Sequence, residues 1–214
     1  MVAGIAVAAI AVAAFALTRG DGGGLPFVDD QERPTPAFAF TVTRASYEAT
    51  AAKGDKNAQE KAADREGKAV AEMLSTLYAT AFVDPDTWGD VGAIEDSFTG
   101  EAMGRLEGDV EVLTIGTGGG YEFVTPEPST VSIVVLTDPE GQVLRAHAQV
   151  EFTALAELSD GTFTTITSTG DYFVVRDGDS WKIEAYRIDR DEEAREAPAS
   201  PSASTSASAT GADA

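Results

Sequence analysis

The chain contains no cysteine and a single histidine, His147. Disulfides, thiolate metal sites, a cysteine nucleophile and a lipid-modified cysteine are therefore excluded, and so is any pair of histidine ligands. The absence does not fix a redox compartment, because an exported domain can do without the residue. Basic residues are also scarce: 15 Lys and Arg stand against 36 Asp and Glu, a formal net charge of -21 in 214 residues. Nucleic acid is thereby excluded as a partner, since phosphate backbones need basic patches. Long apolar runs are nearly lacking too, and the exception is Val2 to Leu17, which is uncharged and rich in alanine.

That run ends at Thr18-Arg19-Gly20, so residues 1–18 read as a signal or a membrane anchor. About sixteen apolar residues is close both to a spanning helix and to a signal-peptide core, so length leaves both open. Ala14-Phe15-Ala16 is a small-residue cleavage pattern, yet no basic residue precedes the run as a signal peptide requires. The expectation is an uncleaved single-pass anchor with the folded domain outside the cytoplasm, or a secreted domain if the segment is removed. Residues 19–44 hold Gly22-Gly23-Gly24 and prolines at 26, 34 and 36, and read as a flexible linker; Phe38 to Val42 alternates too briefly to define a strand. Residues 191–214 begin with mixed charges and end in Ala, Ser, Pro, Thr and Gly, which bury no core and read as a disordered tail, a bare spacer or a carrier of O-linked sugar.

Between these ends, residues 45–190 read as one domain. From about Asp55 to Val83, Val70, Met73, Leu74, Leu77, Tyr78, Ala81 and Phe82 recur at spacings of three and four, which predicts a helix with one apolar stripe. Its first half, with Lys56, Glu60, Lys61, Asp64, Arg65, Glu66 and Lys68 around Gly67, reads as a solvated face. Pro85 stops the helix. Short helices over Val91 to Phe98 and Gly100 to Leu106, then a strand over Val110 to Ile115, are predicted next. Strand-like runs follow from Ser129, the last three being Gln142 to Leu158, Thr162 to Arg176 and Ser180 to Asp189, joined by Ser159-Asp160-Gly161 and Asp177-Gly178-Asp179. In the first of these three, Leu144, Ala146, Ala148, Val150, Phe152, Ala154, Ala156 and Leu158 alternate with Arg145, His147, Gln149, Glu151, Thr153 and Glu157. One face of the sheet is built to be covered.

A long amphipathic helix, short helices and an antiparallel sheet ending in a hairpin with tryptophan early in its last strand resembles the nuclear transport factor two-like superfamily. Leu77-Tyr78, Phe82, Trp88, Tyr172-Phe173-Val174-Val175, Asp177-Gly178 and Trp181-Lys182-Ile183 carry the resemblance, over about Ala45 to Asp189. With the apolar N-terminus added, the layout is similar to membrane-anchored actinobacterial proteins, including those associated with mammalian-cell-entry lipid transporters. The resemblance implies an α+β fold in which a long helix and short helices pack on a curved antiparallel sheet, a cone-shaped roll with a pocket at its open end. Some members of the superfamily use that pocket for isomerisation, dehydration or cyclisation and others for nothing catalytic; many dimerise through the sheet.

Candidate site residues are few. His147 on the polar side of its strand suits a general base near neutral pH, with Asp171 or Tyr172 as acid or hydrogen-bond donor. The simpler readings are a half-exposed strand histidine bonded to its neighbours, and a bulge or bend at Gly170-Asp171. Residues 171 and 172 face opposite ways, so at most one of them reaches a given pocket. Asp84, Asp86, Asp90 and Glu95 match most of a calcium-loop pattern with Gly89 at position 6, but Trp88 occupies position 5 and offers no oxygen. That leaves a weak calcium site at best, against a proline-stopped helix with an aspartate cap. No other cofactor is expected. The expected partners are the membrane through residues 1–18 and a second copy or another envelope protein. The function expected is a non-catalytic extracytoplasmic domain that binds an apolar small molecule or assembles with envelope proteins; the alternative is a small-molecule isomerase, dehydratase or cyclase.

Overall fold

The computed structural model describes residues 33–49, 56–116, 120–137 and 142–196. The anchor expected over residues 1–18, most of the linker and the tail from residue 197 lie outside the described residues. Among the described residues, no helix is long and apolar enough to cross a membrane.

Helix α1 spans Lys56–Tyr78 and buries the stripe read from the sequence: Val70, Leu74, Leu77 and Tyr78 are at most 3 % exposed. Each such side chain contributes on the order of 2 kcal/mol before chain entropy is subtracted. Gly67 is less a weak point than an allowance for the strand Thr41–Ala49, because a Cβ there would stand 3.3 Å from that of Ala45. The helix then widens into a π turn, Ala79–Val83, closed by the Asp84 amide donating to the Ala79 carbonyl. The Thr80, Ala81 and Phe82 carbonyls accept from Thr87 Oγ1, the Ile115 amide and Trp88 Nε1, so the loop that carries Trp88 is what makes the turn affordable.

Two corrections to the sequence reading follow. The stretch Val91 to Phe98 is not one helix but two 3-10 turns, Val91–Ala93 and Glu95–Ser97; Gly92 weakens a longer helix and Asp90 caps only the first turn. The stretch Val110 to Ile115 is not a strand. Helix α2 runs over Gly100–Leu113, because Ala102, Leu106 and Leu113 share one buried side at helical spacing despite the β-branched Val110 and Val112.

Six strands form one curved sheet: β1 Thr41–Ala49, β2 Tyr121–Pro126, β3 Thr130–Thr137, β4 Val143–Leu158, β5 Phe163–Asp177 and β6 Ser180–Arg195, in the order β1-β3-β4-β5-β6. β2 pairs with the end of β4 beyond β3, so β4 serves two partners in succession along one edge. The hand-over lies at Thr153, whose amide donates to Ser129 Oγ and whose carbonyl accepts from the Glu127 amide, between Pro126 and Pro128, which have no donor to offer. The sheet is mixed, not wholly antiparallel as expected: β1, whose first four residues come from the stretch read as linker, pairs in parallel with β3. Ahead of it, Phe38 and Phe40 pack into the core. Alternation in β4 is as read, with Ala146, Ala148, Val150, Phe152, Ala154 and Ala156 buried against the helix side. Leu144, at the start of the same series, is 52 % exposed.

The expected bulge at Gly170 is absent, since the register of β4, β5 and β6 runs through that residue unbroken. Instead β6 bulges at Glu184, between Ile183 and Ala185, and the freed side chain meets Arg145 at 3.2 Å. Gly170 is needed for another reason. A Cβ there would lie 2.5 Å from the Arg187 carbonyl oxygen and 3.1 Å from the Ile188 Cα, where β6 presses closest.

Candidate functional site

β4 and β5 pair with Gln149 opposite Asp171 and His147 opposite Phe173, which sets all four on the outer face, away from α1. There His147 Nε2 and Asp171 Oδ1 are 2.7 Å apart, and the imidazole stacks on Phe173 with centroids 4.8 Å apart and planes 15° from parallel. An ionised carboxylate only accepts, so Nε2 carries the proton and Nδ1 is the basic nitrogen of the neutral ring. Both side chains are half-buried. Phe173 is 46 % exposed, unusual for so large an apolar ring. Next to the pair is a hollow of about 300 Å³ lined by Gln149, Glu151, Thr169, Asp171, Arg187 and Asp189.

Tyr172 does not join them. It faces inward, its hydroxyl donates to that of Tyr78 at 3.1 Å, and Tyr78 in turn bonds Ser168 Oγ at 3.1 Å. Burial pushes both phenols above their ordinary pKa, so both stay neutral. Rings fill the space around this network. Phe38 and Phe40, Phe40 and Tyr78, Tyr78 and Phe152, and Phe82 and Phe152 have centroids 4.9 to 5.1 Å apart.

A larger cleft of about 470 Å³ opens between the end of α2, β2 and β6, lined by Glu111, Ile115, Tyr121, Arg190 and Glu192 among others. None of the residues singled out from the sequence lies in it. Arg190 holds this end of the fold: its side chain is 7 % exposed and Nη1 donates to the Glu111 and Thr114 carbonyls at 2.6 and 2.7 Å, at the C-terminal end of α2. Nη2 reaches Tyr121 Oη and Glu192. Tyr121 is pushed up to about 12, by burial first and then by the Glu192 carboxylate. A signal for Arg190 existed, since it follows Tyr186 and Ile188 in the inward phase of the last strand.

Glu66, read from the sequence as part of a solvated face, is instead buried. It falls on the buried stripe between Ala63 and Val70, its side chain is 9 % exposed, and it accepts from Arg65 and Arg176. Of the calcium-loop residues, Asp84 accepts from the Asp86 amide and Asp90 from the Gly92 amide, so their carboxylates cap separate 3-10 turns. Among the described residues, no group of three or more His, Cys, Asp or Glu is placed to hold a metal. No protein-family model and no curated protein matches this chain.

Proposed function

We propose that this chain is a non-catalytic domain held outside the cytoplasm by its N-terminal segment, and that it works by docking a protein of the cell envelope through the outer face of its sheet. The observation that carries the reading is the outward Phe173, 46 % exposed and backed by His147. Aromatic anchors of this kind dominate protein interfaces. The rings packed between α1 and the sheet favour assembly over carriage of an apolar molecule. The test is site-specific photo-crosslinking in cells, with the crosslinker at 173, at the outward position 149 and, as control, at Met103, an exposed apolar residue of α2. Crosslinks at 173 and 149 but not at 103 support the reading, and their mass tells a second copy from a different protein. Equal yields at all three positions, or none, sink it.

The 2.7 Å contact of His147 with Asp171 favours a second reading, in which Nδ1 of His147 removes a proton next to a carbonyl and Asp171 orients the ring. Isomerisation, dehydration and cyclisation share that step. Exchange of such protons for deuterium from solvent, catalysed by the wild-type chain and lost in His147→Ala, supports it; exchange that is equal in the two, or absent, removes it.

A further inference from the structure

Two depressions flank the charged half of α1. Glu60 and Asp64 line a groove against Ala45 and Ser46 of β1, whereas Arg65 and Glu66 line a notch of about 250 Å³ with Gln142, Val143 and Arg176. Lys61 and Lys68, one turn before and one turn after Arg65, stand exposed beside it. Glu66 lies between the two arginines: Arg65 Nε and Nη2 donate to Oε1 at 3.0 and 2.8 Å, and Arg176 Nη1 donates to Oε2 at 2.8 Å.

A structural clamp needs only one of these cations. Arg176 alone joins β5 to α1 and satisfies the buried carboxylate, and its plane is set by Trp181, whose ring centroid is 5.5 Å from Cζ. Arg65 is 74 % exposed and gives up rotamer freedom to sit on its own neighbour. Two guanidinium groups on one carboxylate leave a positive charge uncompensated, in a chain whose net charge is -21. Among the described residues, Nη1 of Arg65 and Nε and Nη2 of Arg176 make no hydrogen bond. Open donors and an excess of cations, with Arg65, Arg176, Lys61 and Lys68 around the single carboxylate of Glu66, point to an anion.

We infer that this notch binds a phosphate-type oxyanion between Arg65 and Arg176, with Glu66 as the positioning residue that holds both forks. A fork from a helix and a fork from a strand donate to different edges of a tetrahedral anion, which a planar carboxylate does not provide. Free phosphate and the phosphomonoester of a lipid headgroup present the same chemistry. The site is independent of the outer sheet face and of the function proposed for it.

The experiment is calorimetric titration of the full chain in detergent with inorganic phosphate at constant ionic strength, with acetate as the comparison anion. Saturable phosphate binding, weaker binding of acetate and a loss of about tenfold or more in Arg65→Gln are expected. Arg65→Gln should melt where wild type does in the absence of phosphate, because Arg176 still pairs Glu66. Arg176→Lys, which keeps a cation on Glu66 but loses the fork, should also bind phosphate weakly. Phosphate binding that is absent, equal to that of acetate or unchanged in Arg65→Gln overturns the inference. A short-chain phosphatidic acid that binds more tightly than phosphate identifies a headgroup as the source, and equal binding identifies the free anion; each supports the site.

Discussion

At the scale of the residue, the fold depends on positions where one atom decides. Gly170 faces the β6 backbone so closely that Gly170→Ala must move the strand, and a cost of about 2 kcal/mol or more is expected. Chemical denaturation is the measurement, and a midpoint like that of wild type would show that β6 yields freely. Tyr172→Phe removes one hydroxyl from the buried triad but leaves Tyr78 bonded to Ser168, so the expected loss is smaller, about 1 kcal/mol, by the same method. How far such residues were readable depended on phase. Alternation along the strands placed His147 outward and set Asp171 and Tyr172 on opposite faces, since side chains on a strand change face at every step, but it did not say which of those two faces out. It did not show that His147 and Asp171 touch, because that needs the β4–β5 register, which the hairpin signal locates without fixing the diagonal. Glu66 and Arg190 were passed over although each sits at a buried phase, because a charged residue in such a place is only explained by partners remote in sequence.

At the scale of the element, α2 and the π turn are held by groups from elsewhere in the chain. The Arg190 guanidinium occupies the last carbonyls of α2, so Arg190→Met should free that helix end at a cost of about 2–4 kcal/mol. Hydrogen exchange should then quicken in the amides of the last turn of α2 before it changes in α1; uniform acceleration would point to general loosening instead. Trp88→Phe takes the donor from the Phe82 carbonyl and should cost about 1 kcal/mol, read as a lower thermal midpoint. These dependences explain which elements were legible. α1 and the long strands β4, β5 and β6 carry their own periodicity over many residues. The last turns of α2 have β-branched residues, and Arg190, the Tyr186 hydroxyl on Asp109 and the buried positions of Leu106 and Leu113 favour helix there. β1 had too little alternation to be read, and nothing local announces a parallel partner.

At the scale of the whole molecule, the core carries phenols that stay protonated. The folded-state pKa values of Tyr78 and Tyr172 lie above the ordinary phenol value of 10.0 because burial opposes the charge, and Tyr121 reaches about 12. Their contribution to stability is fully present below pH 10; above it the unfolded chain gives up protons that the folded chain keeps, so stability falls as pH rises. The denaturant midpoint should drop above pH 10, and tyrosinate absorbance should rise in step with unfolding. A gradual rise in a still-folded chain would mean that water reaches the Tyr78 cluster. The parallel pairing of β1 also imposes an order in time. Thr41 and its partner Thr130 are some 89 positions apart, so at about 5–20 residues per second β1 is made roughly 4–18 s before the strand that receives it. Through much of that interval Phe38 and Phe40 have only α1 to pack against, and the nascent chain offers a sticky segment to any chaperone near the ribosome. The sheet closes at the end made first, so a truncated product would leave that segment permanently exposed and mark itself for degradation.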